Sequence, residues 1–195
     1  MKTRIESDSI GELEVPVNAY YGVQALRAKE NFVITGHKMH PVFIENLARI
    51  KKAAAVTNRY AGVLEFDITN AIIEACQEVM HGKYMEEFIV DAIQGGAGTS
   101  ANMNMNELIA NRANEILGGG LGDYKKVHPN DHVNMSQSTN DVIPTAGKMT
   151  VLSLLKPLIK QLNRLQKELE HKSEEFSDVI KMGMTQLQDA VPMTL

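Results

Sequence analysis

The sequence is short of most features that assign a protein to a class at a glance. It has one cysteine, Cys76, which excludes an internal disulfide framework and fits a reducing cytoplasm. No run of lysine and arginine is long enough to engage an anionic membrane. The net charge of -4 and pI near 5.9 leave no electrostatic footprint for nucleic acid. No apolar run approaches the length of a membrane span, and the opening "MKTRIESDSI" lacks the apolar core of a signal peptide. Repeats and low-complexity tracts are missing too. Convincing strands are nearly absent, so the expected class is mainly α. What remains is 195 residues, 44% hydrophobic and 23% charged, enough for one good core or two small ones.

The first forty residues read as irregular. "RIESDSIGELEVP" can form a short hairpin with Ser7, Asp8 and Gly11 in its turn, and one or two helical turns follow in "NAYYGVQALRAKENF". From Pro41 the pattern becomes helical, with Phe43, Leu47, Ile50 and Ala54 on one face and Gly62 as a stop. A second helix is expected over 69–81, with Ile72, Ile73, Cys76, Val79 and Met80 inward and Gly82 ending it. Cys76 reads there as a small core residue. The longest element is expected over 141–176, about 54 Å at ~1.5 Å per residue, with Pro157 interrupting it. Along it Val151, Leu155, Leu158, Leu162, Leu165 and Leu169 form a heptad-like seam that one helix cannot bury by itself. The chain stops at "VPMTL" without polar tapering and is read as a fragment.

Three tracts can carry chemistry. In "QGGAGTSANMNMNE", residues 94–107, Gly95, Gly96 and Gly98 allow close backbone approach or positive φ. Thr99 and Ser100 are expected to cap the helix that follows, whose inner face is Met105, Ile109, Ala113, Ile116 and Leu117. A glycine loop delivering a helix N-terminus flanked by hydroxyls favours an anion. A tight turn plus a capped helix is the plainer alternative. Asn102, Asn104, Asn106, Asn111 and Asn114 weigh against it. Each is roughly half a kcal/mol worse in a helix than alanine, so their amides should have polar partners.

The second tract, "HPNDHVNMSQSTND" at 128–141, repeats this chemistry just ahead of the long helix, with Asn130, Asn134, Ser136, Ser138, Thr139 and Asn140. His128 and His132 are four apart, but Pro129 stands between them and no HExxH pattern accompanies them, which weighs against a metal site; for His132 a general base is one reading, and a structural hydrogen bond the commoner one for a loop histidine. In the third, "KMGMTQLQDAVP" at 181–192, Gly183 is expected to make a turn, with Thr185 and Gln186 as donors and Asp189 capping or pairing. No strand precedes "GGAG" and no GKS or GKT occurs, which excludes the dinucleotide and P-loop fingerprints. "GGGLGD" at 118–123 reads as a flexible connection.

In this order the three tracts, with the opening "RIESDSIGELEVPVNAYYGVQALRAKENF", resemble the first halves of the conserved regions of the aspartase/fumarase superfamily. "STND" and "TQLQDA" look like its aspartate ammonia-lyases; fumarases usually carry SSND, and a histidine where Gln186 stands. The resemblance implies a mainly α fold: an N-terminal helical domain over 1–140, then the beginning of a central helical bundle over 141–195. It implies elimination of ammonia from L-aspartate to give fumarate through an aci-carboxylate, without cofactor or metal, in a cytoplasmic homotetramer. Thr99 and Ser100 would contact one carboxylate. Ser138, Thr139 and Asn140 would contact the other carboxylate and the amino group, and Thr185 and Gln186 would complete the pocket. Arg27 and Lys51 would bind a carboxylate or support its binding. The family's base is a serine on a loop absent from this chain, which implies that the chain alone is inactive. Where Met184 stands the family has an arginine.

Two rivals remain: a fumarate hydratase sharing the anion site, and a non-catalytic helical oligomerisation module that kept the scaffold. The internal Ala-Ser-Gly of MIO-type ammonia-lyases is absent, and no lysine context points to pyridoxal phosphate.

Overall fold

The structure is a computed structural model that describes residues 2–195. The chain divides into two units, Met1–Thr150 and Val151–Leu195. Most of the residues are helical.

The first unit opens with a hairpin, β1 (Thr3–Ser7) and β2 (Glu12–Pro16), in register from Thr3 opposite Pro16 to Ser7 opposite Glu12. Its turn is made as the sequence indicates: Asp8 Oδ1 accepts from the N–H groups of Ile10 and Gly11. Helices α1 (Val23–Asn31), α2 (Pro41–Tyr60), α3 (Phe66–Met80) and α4 (Thr99–Ile116) follow. A 3₁₀ turn (Met85–Glu87) lies between α3 and α4, and a π-helical turn (Pro129–Val133) precedes α5 (Thr139–Glu175). α3 starts three residues earlier than expected. Gly62 and Gly82 lie just past the ends of α2 and α3 with φ of 75° and 84°, the left-handed conformation that closes a helix.

The core joins Leu47, Ile72, Val79, Phe88, Met105, Leu108 and Ile109 from α2, α3, α4 and the segment before α4. The expected inner face of α2 is rotated. Ile44, Leu47, Ala48, Lys51, Ala55 and Asn58 are buried, while Phe43, Ile50 and Ala54 are only half-buried. Polar Lys51 and Asn58 occupy core-facing positions, which a purely apolar stripe does not register.

α4 is the central helix of this unit. Every residue from Ser100 to Asn111 is buried, so this stretch has no solvent face. Its Glu107 makes a contact that sequence spacing could not reveal. Gly22, the residue before α1, brings no capping side chain. Instead Glu107 Oε2 accepts from the N–H of Gly22 and of Ala25, each at 3.0 Å, and its Oε1 from that of Gln24. Glu6 Oε2 accepts from Val23 N at 3.0 Å. Two carboxylates from distant elements thus complete the positive end of α1. Gly22 must be glycine, because a Cβ there would stand 2.4 Å from the Tyr124 hydroxyl. The segment "GGGLGD", expected to be flexible, is tied down: Gly122 N donates to Asn111 Oδ1 at 2.7 Å.

α5 runs without a break through Pro157 from the first unit into the second, so the expected interruption does not divide it. Its seam is uncovered: Val151, Leu155, Leu158, Leu162, Leu165 and Leu169 are 40–62% exposed. By length and composition alone this helix could cross a membrane, contrary to the expectation that no segment approaches that length. Its first half carries few charges, and the seam residues are supplemented by Leu152, Leu154 and Ile159.

The second unit ends in a second hairpin, β3 (Ile180–Thr185) with β4 (Gln188–Thr194), which the sequence reading missed. Gly183 lies within β3 rather than in a turn. The register shifts there, so that Ala190 and Val191 face it in a β-bulge. A Cβ on Gly183 would stand 2.9 Å from Met193 Sδ. Asp189 is opposite Met184 in the ladder.

Candidate active site

The starts of α4 and α5 lie side by side in the first unit. Gly98, with φ of 85°, precedes α4, and a Cβ on it would stand 2.8 Å from Cγ2 of Ile143 in α5. One turn into α4, Asn102 Nδ2 donates to Thr139 Oγ1 at 3.0 Å. Each helix brings N-terminal N–H groups and adjacent hydroxyls, so partial positive charge and neutral donors gather on one surface.

Thr99 and Ser100 are not caps, contrary to expectation. They are the first two residues of α4, and its N-terminus is capped by Gln94, whose Oε1 accepts from Ala101 N at 2.6 Å. The sequence gives little warning of this, because Gln94 lies on the far side of the glycine loop from the helix it caps. The substitution of one capping group by another has a consequence. The hydroxyls and backbone N–H groups of Thr99 and Ser100 have no acceptor among the described residues and remain available to a ligand. Thr99 is exposed and Ser100 buried.

At the start of α5, Ser138 Oγ accepts from Asn140 N at 3.2 Å. Ser138 and Asn140 are exposed and Thr139 is half-buried. The turn that precedes them is held from α2. Lys51 Nζ donates to Asn134 Oδ1 and to Gln137 Oε1, both at 2.9 Å, and Asn58 Nδ2 donates to the Met135 carbonyl. Lys51 is fully buried, with no carboxylate in ion-pairing distance among the described residues. Burial therefore pushes its ammonium down to about 7. The neighbouring Cys76 gives no counter-charge, because burial pushes its thiol up to about 12.

Arg27 is committed elsewhere in this unit. Its Nε and Nη2 donate to the two oxygens of Asp8 at 3.1 and 3.0 Å. Burial alone would raise the Asp8 carboxyl, but the Arg27 hydrogen bond and the N–H groups of Ile10 and Gly11 outweigh it and hold it low. His128 and His132 have the structural role expected of them. His128 Nδ1 accepts from Asn130 N and Asp131 N, while His132 Nδ1 accepts from His128 N. Burial lowers the pKa of His132.

Most of the α4 asparagines have the polar partners expected of them, and these are groups of neighbouring loops. Asn104 bonds Ile89 N and the Glu87 carbonyl. Asn111 bonds the Tyr20 carbonyl, the Tyr124 hydroxyl and Gly122 N. Asn114 bonds the Val127 carbonyl and the N–H groups of Lys126 and Val127. These amides stitch loops to the helix. Among the described residues Asn106 has only Met103 Sδ at 3.4 Å, and its Oδ1 has no partner. Asn102 is the one that reaches the anion tract.

Thr185 and Gln186 belong to the second unit. Thr185 ends β3, and Gln186 and Leu187 form a two-residue hairpin turn with φ of 50° and 63°. Both residues are left-handed, a conformation that costs ~1–2 kcal/mol in a side-chain-bearing residue. Stored strain of this kind concentrates at ligand-contacting positions.

A cavity of about 500 Å³ lies elsewhere, lined by Arg59, Tyr60, Phe66 and Asn70 of α2 and α3. The paired helix starts instead offer hydroxyls and N–H groups of two helix N-termini side by side, a surface suited to a small anion.

A family model described as lyase matches residues 11–195, and the chain belongs to that family. Among its relatives, an aspartate ammonia-lyase of a Bacillus species is 55% identical over 192 residues, aligning 98% of this chain with 41% of that protein. The aspartate ammonia-lyase of Escherichia coli strain K12 is 51% identical over 195 residues, aligning 98% of this chain with 41% of that protein. A solved structure from Brucella melitensis, described as a fumarate lyase:delta crystallin, matches with a TM-score of 0.92 at 50% identity, covering 100% of this chain and 46% of its own. A class II fumarase from Schistosoma mansoni matches with a TM-score of 0.89 at 40% identity, covering 100% of this chain and 41% of its own. The chain thus spans about two fifths of the length of the curated relatives it matches.

Proposed function

We propose that the complete protein carrying this chain eliminates ammonia from L-aspartate to give fumarate. A base takes a proton from the carbon beside the side-chain carboxylate, and the C–H electron pair moves onto that carboxylate to form the aci-carboxylate. The pair then returns to form the carbon–carbon double bond as the C–N bond breaks and ammonia leaves with its electrons. The difficult moment is the doubly negative carboxylate, which needs fixed donors where the charge develops.

The observation that carries this reading is the pairing of two helix starts at which the N–H and O–H groups of Thr99 and Ser100 and the hydroxyl hydrogens of Ser138 and Thr139 have no acceptor among the described residues. Neutral threonine, serine and asparagine donors suit the task because they reorganise little as charge accumulates. In this reading Thr99 and Ser100 take one carboxylate, and Ser138, Thr139 and Asn140 the other carboxylate and the amino group. Thr185 and Gln186 supply further donors, and Lys51 supports the site through the turn before α5, while Arg27 is engaged by Asp8. The base is the serine that the family carries on a loop beyond these residues, so the 195-residue chain by itself is inactive. The uncovered α5 seam supports assembly with further copies, as a homotetramer around a helical bundle.

Incubation of the complete protein with L-aspartate, followed by fumarate absorbance and ammonia release, tests the reading. Equimolar fumarate and ammonia are expected. Malate formed from fumarate without ammonia chemistry would favour a hydratase. The identities of 51–55% to aspartate ammonia-lyases against 40% to a class II fumarase favour the lyase. Absence of both products would favour a non-catalytic module.

A further inference from the structure

We propose that Lys51 and Asn102 are positioning residues that dictate which way the Thr139 hydroxyl points, acting through Asn134. The inference deepens the reading above and rests on it for its kinetic consequence.

The direction follows from which atoms can donate. Lys51 Nζ has two amide oxygens as partners, Asn134 Oδ1 and Gln137 Oε1, both at 2.9 Å. An ammonium can only donate, and a neutral amine still has two hydrogens for the same two oxygens. With Lys51 fully buried, Asn134 must present its oxygen, and its Nδ2 turns to the Gln137 carbonyl at 3.4 Å. Asn134 Oδ1 also meets the Asn102 amide at 3.1 Å. Two oxygens facing each other would repel, so Asn102 must present Nδ2. The same nitrogen spends its second hydrogen on Thr139 Oγ1 at 3.0 Å. Thr139 Oγ1 is thereby made an acceptor toward the protein, and its one hydrogen is left for something else. No acceptor for it exists among the described residues. It is free for an anion at the start of α5.

The arrangement bears a visible penalty. Asn102 is 1% exposed, and its Oδ1 has no donor among the described residues. Rotating the amide would set that oxygen against Asn134 Oδ1, so the orphaned acceptor marks an orientation enforced from Lys51.

Two measurements test this. Neutron diffraction from deuterated crystals should place the deuterons of Asn102 Nδ2 on Asn134 Oδ1 and Thr139 Oγ1, with the Thr139 deuteron pointing away from Asn102. A Thr139 deuteron directed at Asn102 overturns the proposal, whatever the activity. In the complete protein, Thr139→Val should lower kcat/KM for L-aspartate by about 100-fold, as loss of one preorganised donor does. Lys51→Met and Asn102→Leu should each cost roughly tenfold or more, mainly in kcat, but in the Thr139→Val background less than about threefold, since residues that act through one group are non-additive. Equal losses in both backgrounds overturn the relay. Thermal melts check each variant, and if Lys51→Met does not fold, the Asn102→Leu cycle and the neutron map decide. Failure of the unmodified protein to act on aspartate would sink the proposed function, while the neutron map would still judge the relay.

Discussion

α4 and α5 invert the usual rule for soluble helices. α4 is rich in asparagine and is buried from Ser100 to Asn111. α5 is rich in leucine, and its leucines from Leu152 to Leu169 lie open. The difference lies in who supplies the partners. The amides of α4 find backbone N–H and C=O groups in loops of the same chain, so burial leaves most of them satisfied. The leucines of α5 need apolar surface, and the rest of this chain offers none to its outer half. One helix finds its partners within this chain, and the other leaves its apolar face uncovered.

The strongest way to break that comparison is to remove an α4 stitch. Asn114→Leu removes the acceptor for the buried N–H of Val127 and the part-buried N–H of Lys126, and the donor to the buried Val127 carbonyl. At ~1–3 kcal/mol for each buried group left unpaired, a loss of about 4 kcal/mol is expected in urea unfolding. A loss below about 1 kcal/mol would show that the amides are incidental, since surface changes fall in that range.

A second test uses pH. Burial pushes the Glu107 carboxyl up to about 7, against the pull of the N–H groups of Ala25, Gln24 and Gly22. The folded form therefore binds this proton more tightly than the unfolded chain. The associated stability is full below the unfolded value of 4.5 and drains away as pH rises through about 7. Glu107→Gln lacks this dependence. The stability of the unmodified chain relative to the variant should fall by about 3 kcal/mol between those limits, at ~1.4 kcal/mol per pKa unit. A flat difference would mean that the α1 N-terminus holds the carboxylate charged at no cost.

The smallest effect belongs to α5. Leu162→Ala should change the unfolding free energy of the separated chain by less than about 0.5 kcal/mol, yet weaken self-association measured by sedimentation. A core-sized loss in the monomer would show that the seam is covered within one chain.

Much of this architecture is legible along the sequence. The helical periods, Gly62 and Gly82 as stops, the first hairpin and the two donor-rich tracts depend on neighbours a few residues apart, where local sterics and hydrogen bonding decide. The failures share a cause. Gln94 caps α4 across a glycine loop, Glu107 caps α1 from 82 to 85 positions away, and Lys51 bonds residues more than 80 positions on. No spacing rule reaches that far. The β3–β4 hairpin escaped because its turn is Gln186–Leu187, without the Asn-Gly or Asp-Gly that marks such turns.

By itself, then, the sequence determined which segments are helical and which short tracts are dense in neutral donors, because both follow from local backbone preference and side-chain chemistry. Only the tertiary structure decided which of those donors are already spent on the protein and which remain for a ligand. A hydrogen bond has a direction and a partner, and both are fixed by atoms that meet only when the chain has folded.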